Sequence, residues 1–298
     1  MDILAQVRAA ISRVNPAEVR EAAERPVTVR LTALNSAGYA SMEDLLATRA
    51  VSRRKRYEIA QWLFRDNDAG VPDQPDIEIA EYGIDAPAGT FVFHPAQPGE
   101  LIREILERRE EMGLALARTF PVFRRPVIDR AIQAIARENA VFSLITSLPH
   151  FAPNLPLPFQ VPDLSDTAFL TVNQIRMSFL LAAASDRPVG YKEQRTEIAG
   201  LIASAFAWRG LARWLGGGLP WGGGVIPKAA LAYAGTCVAG LSLERLYRTG
   251  YGLTREERRL AYGDALARGR EVAAAVIHAW RDRQGERRYN QARASHLP

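Results

Sequence analysis

The sequence predicts a mainly α protein: a multi-helix domain with a central glycine-rich helical hairpin, preceded by a small N-terminal α/β module. Three observations predict it. From Gly99 onward apolar residues recur at helical spacing, as in Ile102, Ile105 and Leu106 and again in Val127, Ile128, Ala131, Ile132 and Ile135. Val27 to Leu34 is instead β-branched and alternating, the pattern of a strand. Between two apolar helical runs, Gly216-Gly217-Gly218-Leu219-Pro220-Trp221-Gly222-Gly223-Gly224 is a connection that no helix survives, because glycine and proline both break the helical backbone.

Each element has a local reason. Ile3, Leu4, Val7, Ile11 and Val14 form one stripe of an amphipathic helix that stops at Asn15-Pro16, and a second short helix is expected over Pro16 to Glu24. The strand at Val27 to Leu34 leads into a small-residue turn, Asn35-Ser36-Ala37-Gly38, with a helix expected from Ser41-Met42-Glu43-Asp44 and another from Ser52 to Phe64. Asp66 to Asp76 reads as a linker, and Ile77 to Tyr82 with Thr90 to His94 as two short paired strands. Residues 1–98 thus form the first region and 99–283 an all-α domain. Pro149, Pro153, Pro156, Pro158 and Pro162 make a stiff loop. Phe169 to Ala184 is apolar but carries Thr171, Asn173, Gln174 and Arg176, which suits a packed helix and not an ordinary membrane span. The hairpin arms are expected over 196–215 and 227–247. A Thr-x-x-Glu capping box at Thr254 and Glu257 opens a last helix with Leu260, Ala267, Val272, Val276 and Trp280 as its apolar positions, and residues 284–298 read as a flexible tail.

Composition narrows the function classes. With 298 residues, 48% hydrophobic and 24% charged, the chain has the material for a sizeable core and is neither disordered nor fibrous. The 38 Lys+Arg exceed the 33 Asp+Glu, and the excess is arginine, clustered at Arg53-Arg54-Lys55-Arg56, Arg124-Arg125, Arg258-Arg259 and Arg281 to Arg288. Acidic residues interrupt these clusters. Solvated helix faces are therefore the first expectation, an anionic membrane surface the second and nucleic acid the least favoured. The single cysteine, Cys237, lies in an apolar run and is expected to be a buried, inert thiol. Met1 to Gln6 has no basic stretch followed by an apolar run, so the expectation is a cytoplasmic protein, peripheral to the inner membrane at most.

The strand, turn and helix at Leu31 to Leu46 resemble the opening of a P-loop GTPase. In the pattern G-x-x-x-x-G-K-[ST], Ala33 takes the first glycine, Gly38 matches the second, Tyr39 replaces the lysine and Ala40 the metal-binding hydroxyl. Asp85-Ala86-Pro87-Ala88-Gly89 resembles the Asp-x-x-Gly turn of such domains with one residue too many. A degenerate remnant, an unrelated α/β module and a nucleotide site are the three readings this leaves. A second resemblance rests on Phe120-Pro121-Val122-Phe123-Arg124, on Asn139 before Ser147-Leu148-Pro149, on Asp166-x-x-x-Leu170-x-x-x-Gln174-x-x-Met177, and on Ile226-Pro227-Lys228 leading to Ala234-Gly235-Thr236 and Tyr247-x-x-Gly250. Over about residues 115–250 the chain resembles the bacterial family called domain of unknown function 697, often linked to Era-like GTPases. The resemblance implies an α-helical domain, a GTPase-linked or membrane-linked role, and no chemistry.

The candidate functional or core polar positions are Asn173, Gln174, Thr236 and Lys228, polar groups on apolar helices that need partners. Trp208, Arg209, Arg213, Trp214 and Trp221 would form a membrane-facing tip if the hairpin inserted. Its second arm, Ala229 to Leu243, spans about 22 Å as a helix, short of a roughly 30 Å hydrocarbon core. His94, His150, His278 and His296 show no metal-ligand spacing. No catalytic, cofactor or metal site is expected. The chain reads as a non-enzymatic interaction protein with a protein partner, a GTPase or ATPase; a peripheral membrane protein is the alternative and an enzyme with an unrecognised site the third reading.

Overall fold

The computed structural model describes residues 14–48, 51–147, 166–204 and 225–294. The protein is mainly α with a small parallel sheet. It divides into two compact units, one of Asn15–Arg130 with Phe179–Glu193 and the other of Met1–Val14, Ala131–Ser178 and Gln194–Pro298.

The first unit opens with α1 (Pro16–Glu24), where the Asn15 side chain accepts from the Ala17 N–H and Pro16 occupies the first turn. Strand β1 (Val29–Thr32) leads to α2 (Ser36–Leu46), and α3 (Arg53–Ala60) leads to β2 (Leu63–Arg65). Then come β3 (Ile77–Glu81) and β4 (Phe91–Phe93). All pairs are parallel and the order is β2-β1-β3-β4. Register is held by the pattern of the residues: Val29 and Leu31 of β1 and Ile77 and Ile79 of β3 are buried, while the register partners Arg30 and Glu78 form an ion pair. Asp76, just before β3, accepts from both the backbone N–H and the hydroxyl of Thr28 at 2.9 Å.

Two expectations change here. Helix α2 starts at Ser36, not Ser41, because Asn35 caps it, its side chain accepting from the Ala37 and Gly38 N–H groups at 2.9 and 3.1 Å. The helix expected from Ser52 to Phe64 ends at Ala60, and Leu63–Arg65 joins the sheet as β2, a strand too short for its alternation to show. The amphipathic α4 (Pro98–Arg108) buries Leu101, Ile102, Ile105 and Leu106, and α5 (Gly113–Thr119) buries Ala115, Leu116 and Ala117.

The second unit draws on α6 (Arg124–Ile145) and α7 (Asp166–Ala184), on α8 (Val225–Thr249) and α9 (Arg255–Ala294), and on a helical stretch over 195–204. Phe142 of α6 stacks on Phe169 of α7. The predicted capping box opens α9: Thr254 Oγ1 accepts from the Glu257 N–H at 3.2 Å and a Glu257 carboxylate oxygen accepts from the Thr254 N–H at 2.9 Å. Glu257 also pairs with Arg245, and these bonds hold its carboxyl below the usual range, the Thr254 backbone first among them.

Helix α9 packs along α8, as its apolar spacing implies, with Val276 buried and Val272 and Trp280 half-buried as that spacing predicts, but without two of the expected positions. Leu260 is 67% exposed and Ala267 exposed; the buried stripe is Ala265, Gly269, Ala273, Val276 and Ile277. At Gly269 the two backbones approach closely. A Cβ on Gly269 would lie 2.8 Å from the Ala230 carbonyl oxygen and 3.0 Å from the Tyr233 Cβ, so no side chain fits at that crossing without a shift. The helix runs on to Ala294, through the part that the sequence reading treats as tail. The Asp2 to Val14 helix, the proline-rich loop and the distal part of the first hairpin arm lie at least in part outside the described residues. Among the described helices, Ile226–Thr249 alone is long and apolar enough to cross a membrane by length and composition, with mean hydropathy 1.2, and half of its apolar window is buried.

Candidate functional site

In an open parallel sheet the ligand seat is the crevice outside the carboxyl ends of the strands, where the strand order reverses. Here the reversal lies between β1 and β3, since β1 connects outward to β2 and the chain then returns past β1 to β3. The connection from β1 to α2 is only Ala33, Leu34 and Asn35. Gly38 therefore stands inside α2 and not in a phosphate-cradling loop, and the first N–H groups of the helix are turned onto the Asn35 side chain.

One side chain of β3 reaches into this crevice. Glu81, the last residue of β3, accepts from the Leu34 N–H at 2.9 Å, and its carboxylate is so close to α2 that a Cβ on Gly38 would lie 2.2 Å from its Oε2. A carboxylate thus holds the place beside a helix N-terminus where a phosphate would sit. Tyr39, at the lysine position of the P-loop pattern, donates its hydroxyl to Asp66 at 2.5 Å and lies under the Arg65 guanidinium, which is itself paired with Glu43. Burial and then the Asp66 contact push the Tyr39 phenol up from its usual value, so it stays a neutral donor. Glu81 escaped sequence reasoning; its signal was a lone carboxylate at a strand end facing a strand–turn–helix.

Of the four polar candidates, the structure brings two together. The Asn173 amide on α7 donates to Asn139 Oδ1 of α6 at 2.9 Å, and the Asn139 amide donates to Thr236 Oγ1 of α8 at 2.8 Å. Thr236 in turn donates to the Ala232 carbonyl at 2.8 Å, while Glu138 accepts from Asn173 at 3.2 Å and from Arg176 at 2.8 Å. Asn139, Asn173 and Thr236 have no exposed surface. The three helices are clamped by a buried network whose polar groups find each other. Gln174, one residue on and so about 100° round the helix, is half-buried and joins none of these bonds. Lys228 is exposed and donates to the Ser147 hydroxyl at 3.1 Å. Trp208, Arg209, Arg213, Trp214 and Trp221 lie outside the described residues.

No group of three or more His, Cys, Asp or Glu among the described residues could hold a metal ion. Cys237 is buried, and that burial pushes its thiol up to about 11. Burial likewise pushes the Tyr262 phenol up to about 12. Both folded values exceed the unfolded ones, so the stability they contribute is whole below about pH 9 and is lost as pH rises towards 11 and 12. The melting temperature should therefore fall steadily across that alkaline window. Ellman's reagent at about pH 8 should leave Cys237 unmodified until urea unfolds the protein; rapid native labelling would show an accessible thiolate.

Compared with protein-family models, with curated proteins and with solved structures, the chain matches none of them.

Proposed function

We propose that this protein is a non-catalytic interaction protein: a helical platform joined to an α/β unit that has the topology of a nucleotide fold and no vacancy for a nucleotide. The observation that carries this reading is the Glu81 carboxylate seated beside Gly38 and Leu34 at the switch point of the sheet. A nucleotide phosphate seated there would have to displace this carboxylate, since like charges brought together repel. The buried Asn173, Asn139 and Thr236 bonds support the same reading, since polar groups satisfied by one another brace helices and leave nothing for a substrate. The resemblance to domain of unknown function 697 supports a GTPase or ATPase as the partner.

The test is a titration with fluorescent GTP and ATP analogues in the presence of Mg²⁺. No saturable signal is expected into the high micromolar range, and micromolar binding reversed by the unlabelled nucleotide would end the proposal. A second reading, peripheral attachment to an anionic inner-membrane surface, is favoured by the apolar length of Ile226–Thr249 beside the arginine-rich α9. In that case the protein sediments with membranes and is released by high salt, because headgroup contacts of exposed arginines are screened.

A further inference from the structure

Helix α3 begins with Arg53-Arg54-Lys55-Arg56, four consecutive cations with no acid in the first turn, at the end of a helix that favours negative charge. Like charges there oppose one another, and Glu58 and Asp186 offset part of the repulsion at Arg54 and Lys55. Asp186 draws Lys55 at 2.7 Å, Arg124 at 3.3 Å and Arg118 at 3.8 Å, so one carboxylate serves three cations brought from three helices. Its position is set by the end of α7: Asp186 has a left-handed φ of 59°, its N–H donates to the Ala183 carbonyl and the Arg187 N–H to the Ala182 carbonyl, a Schellman closure. A carboxylate at a helix C-terminus is unfavourable by itself and is held there by these cations.

Against this cluster lies a cleft of about 620 Å³, where Arg25, Arg54, Lys55 and Arg118 meet the carboxylates Glu24, Glu58 and Asp186, with Trp62 also in the lining. Lys55, with a side chain only 13% exposed, is committed to Asp186 and Glu58. The rim is different: the Arg54 side chain is 90% exposed and that of Arg25 50%, each with one carboxylate at hand, and Arg53 and Arg56 are exposed beside them. Exposed guanidiniums that can fork onto carboxylates, with the apolar residue Trp62 in the same cleft, match a chain segment in which acidic and apolar side chains alternate.

We propose that this cleft is the seat for an acidic segment of a protein partner, its carboxylates meeting Arg25 and Arg54 and an apolar side chain lying on Trp62. This rests on the interaction reading above and gives that reading a surface. The probe is a fluorescein-labelled octapeptide of alternating Glu and Leu, followed by anisotropy with the full-length protein, beside its Gln and Leu counterpart. The acidic peptide should bind, its affinity should fall roughly tenfold when salt rises from about 50 to 200 mM, and the neutral peptide should not bind. Arg25→Glu with Arg54→Glu, both surface changes, should weaken binding at least about tenfold without moving the melting temperature, whereas Arg258→Glu with Arg259→Glu on α9 should leave it unchanged. Absence of binding, equal binding by the Arg25/Arg54 variant, or displacement of the peptide by inorganic pyrophosphate or by phosphatidylserine vesicles at lower concentration than by unlabelled peptide overturns the proposal. A nucleotide that binds elsewhere would sink the interaction reading and leave these peptide results as they stand, so the two failures are distinguishable.

Discussion

Gly269→Leu is expected to part α8 from α9 and leave the second unit without a stable fold. Even the Cβ of alanine would meet the Ala230 carbonyl oxygen at 2.8 Å and the Ala230 Cα at 3.0 Å, and these are backbone atoms that no rotamer change can move. Gly269→Ala should therefore cost about 1–3 kcal/mol, the range for overpacking a close-packed contact, against the usual gain of replacing a helical glycine. Leucine adds three more carbons at the same point and should abolish soluble expression or cooperative melting. Gly263, on the same helix, has open space where a Cβ would stand, so Gly263→Ala should stabilise by about 0.5–1 kcal/mol. Opposite signs from two glycines six residues apart, read by urea melts, test the packing face directly. If Gly269→Leu melts like the parent, α9 does not lie on α8 through this stripe.

Asn173→Leu is expected to lower stability by roughly 2–4 kcal/mol, because it removes the donor to Asn139 Oδ1 and leaves that acceptor, fully enclosed, with its desolvation uncompensated. For a unit of this size that is a fall in melting temperature of about 5–12 °C. Arg176 and Glu138 remain paired and should not rescue it, since their bond at 2.8 Å does not reach Asn139. Gln174→Leu, on the neighbouring but unbonded position, should change the melt by less than about 1 kcal/mol. Had Asn173 lined a binding cleft, its removal would spare the fold; an unchanged melt for Asn173→Leu would refute the structural role.

Much of the architecture was legible because its causes are local. Asn15-Pro16, the alternation from Val27, and Thr254 with Glu257 each specify an end or an element through bonds made within a few residues, and α1, β1 and the start of α9 lie where those signals put them. The same logic misplaced the start of α2, where two capping residues, Asn35 and Ser41, were both available; Asn35 caps, and Ser41 instead returns its hydroxyl to the Ala37 carbonyl at 2.9 Å. Asn173 and Thr236 stood out as polar residues on apolar helices. Nothing near either in the chain named Asn139 as the residue that joins them.

What the sequence by itself determined, then, is the mainly helical class with its small α/β module, the strand at Val27 to Leu34, the capping box at Thr254, the burial of Cys237 and the loss of the lysine and hydroxyl that a P-loop needs. Only the tertiary structure decided that Leu260 and Ala267 fall outside the buried face of α9, that Leu63–Arg65 completes the sheet, that the Glu81 carboxylate lies beside Gly38, and that Asn139 meets Thr236 across 97 positions of chain. The physical reason is common to all four. Hydrophobic periodicity reports which face a helix offers, whereas which residues along that face are covered follows from where the neighbouring helix lies and how closely the two backbones approach. Likewise, a carboxylate or an amide finds its partner by where the fold sets it down, and a contact between distant residues leaves no periodic trace in either segment.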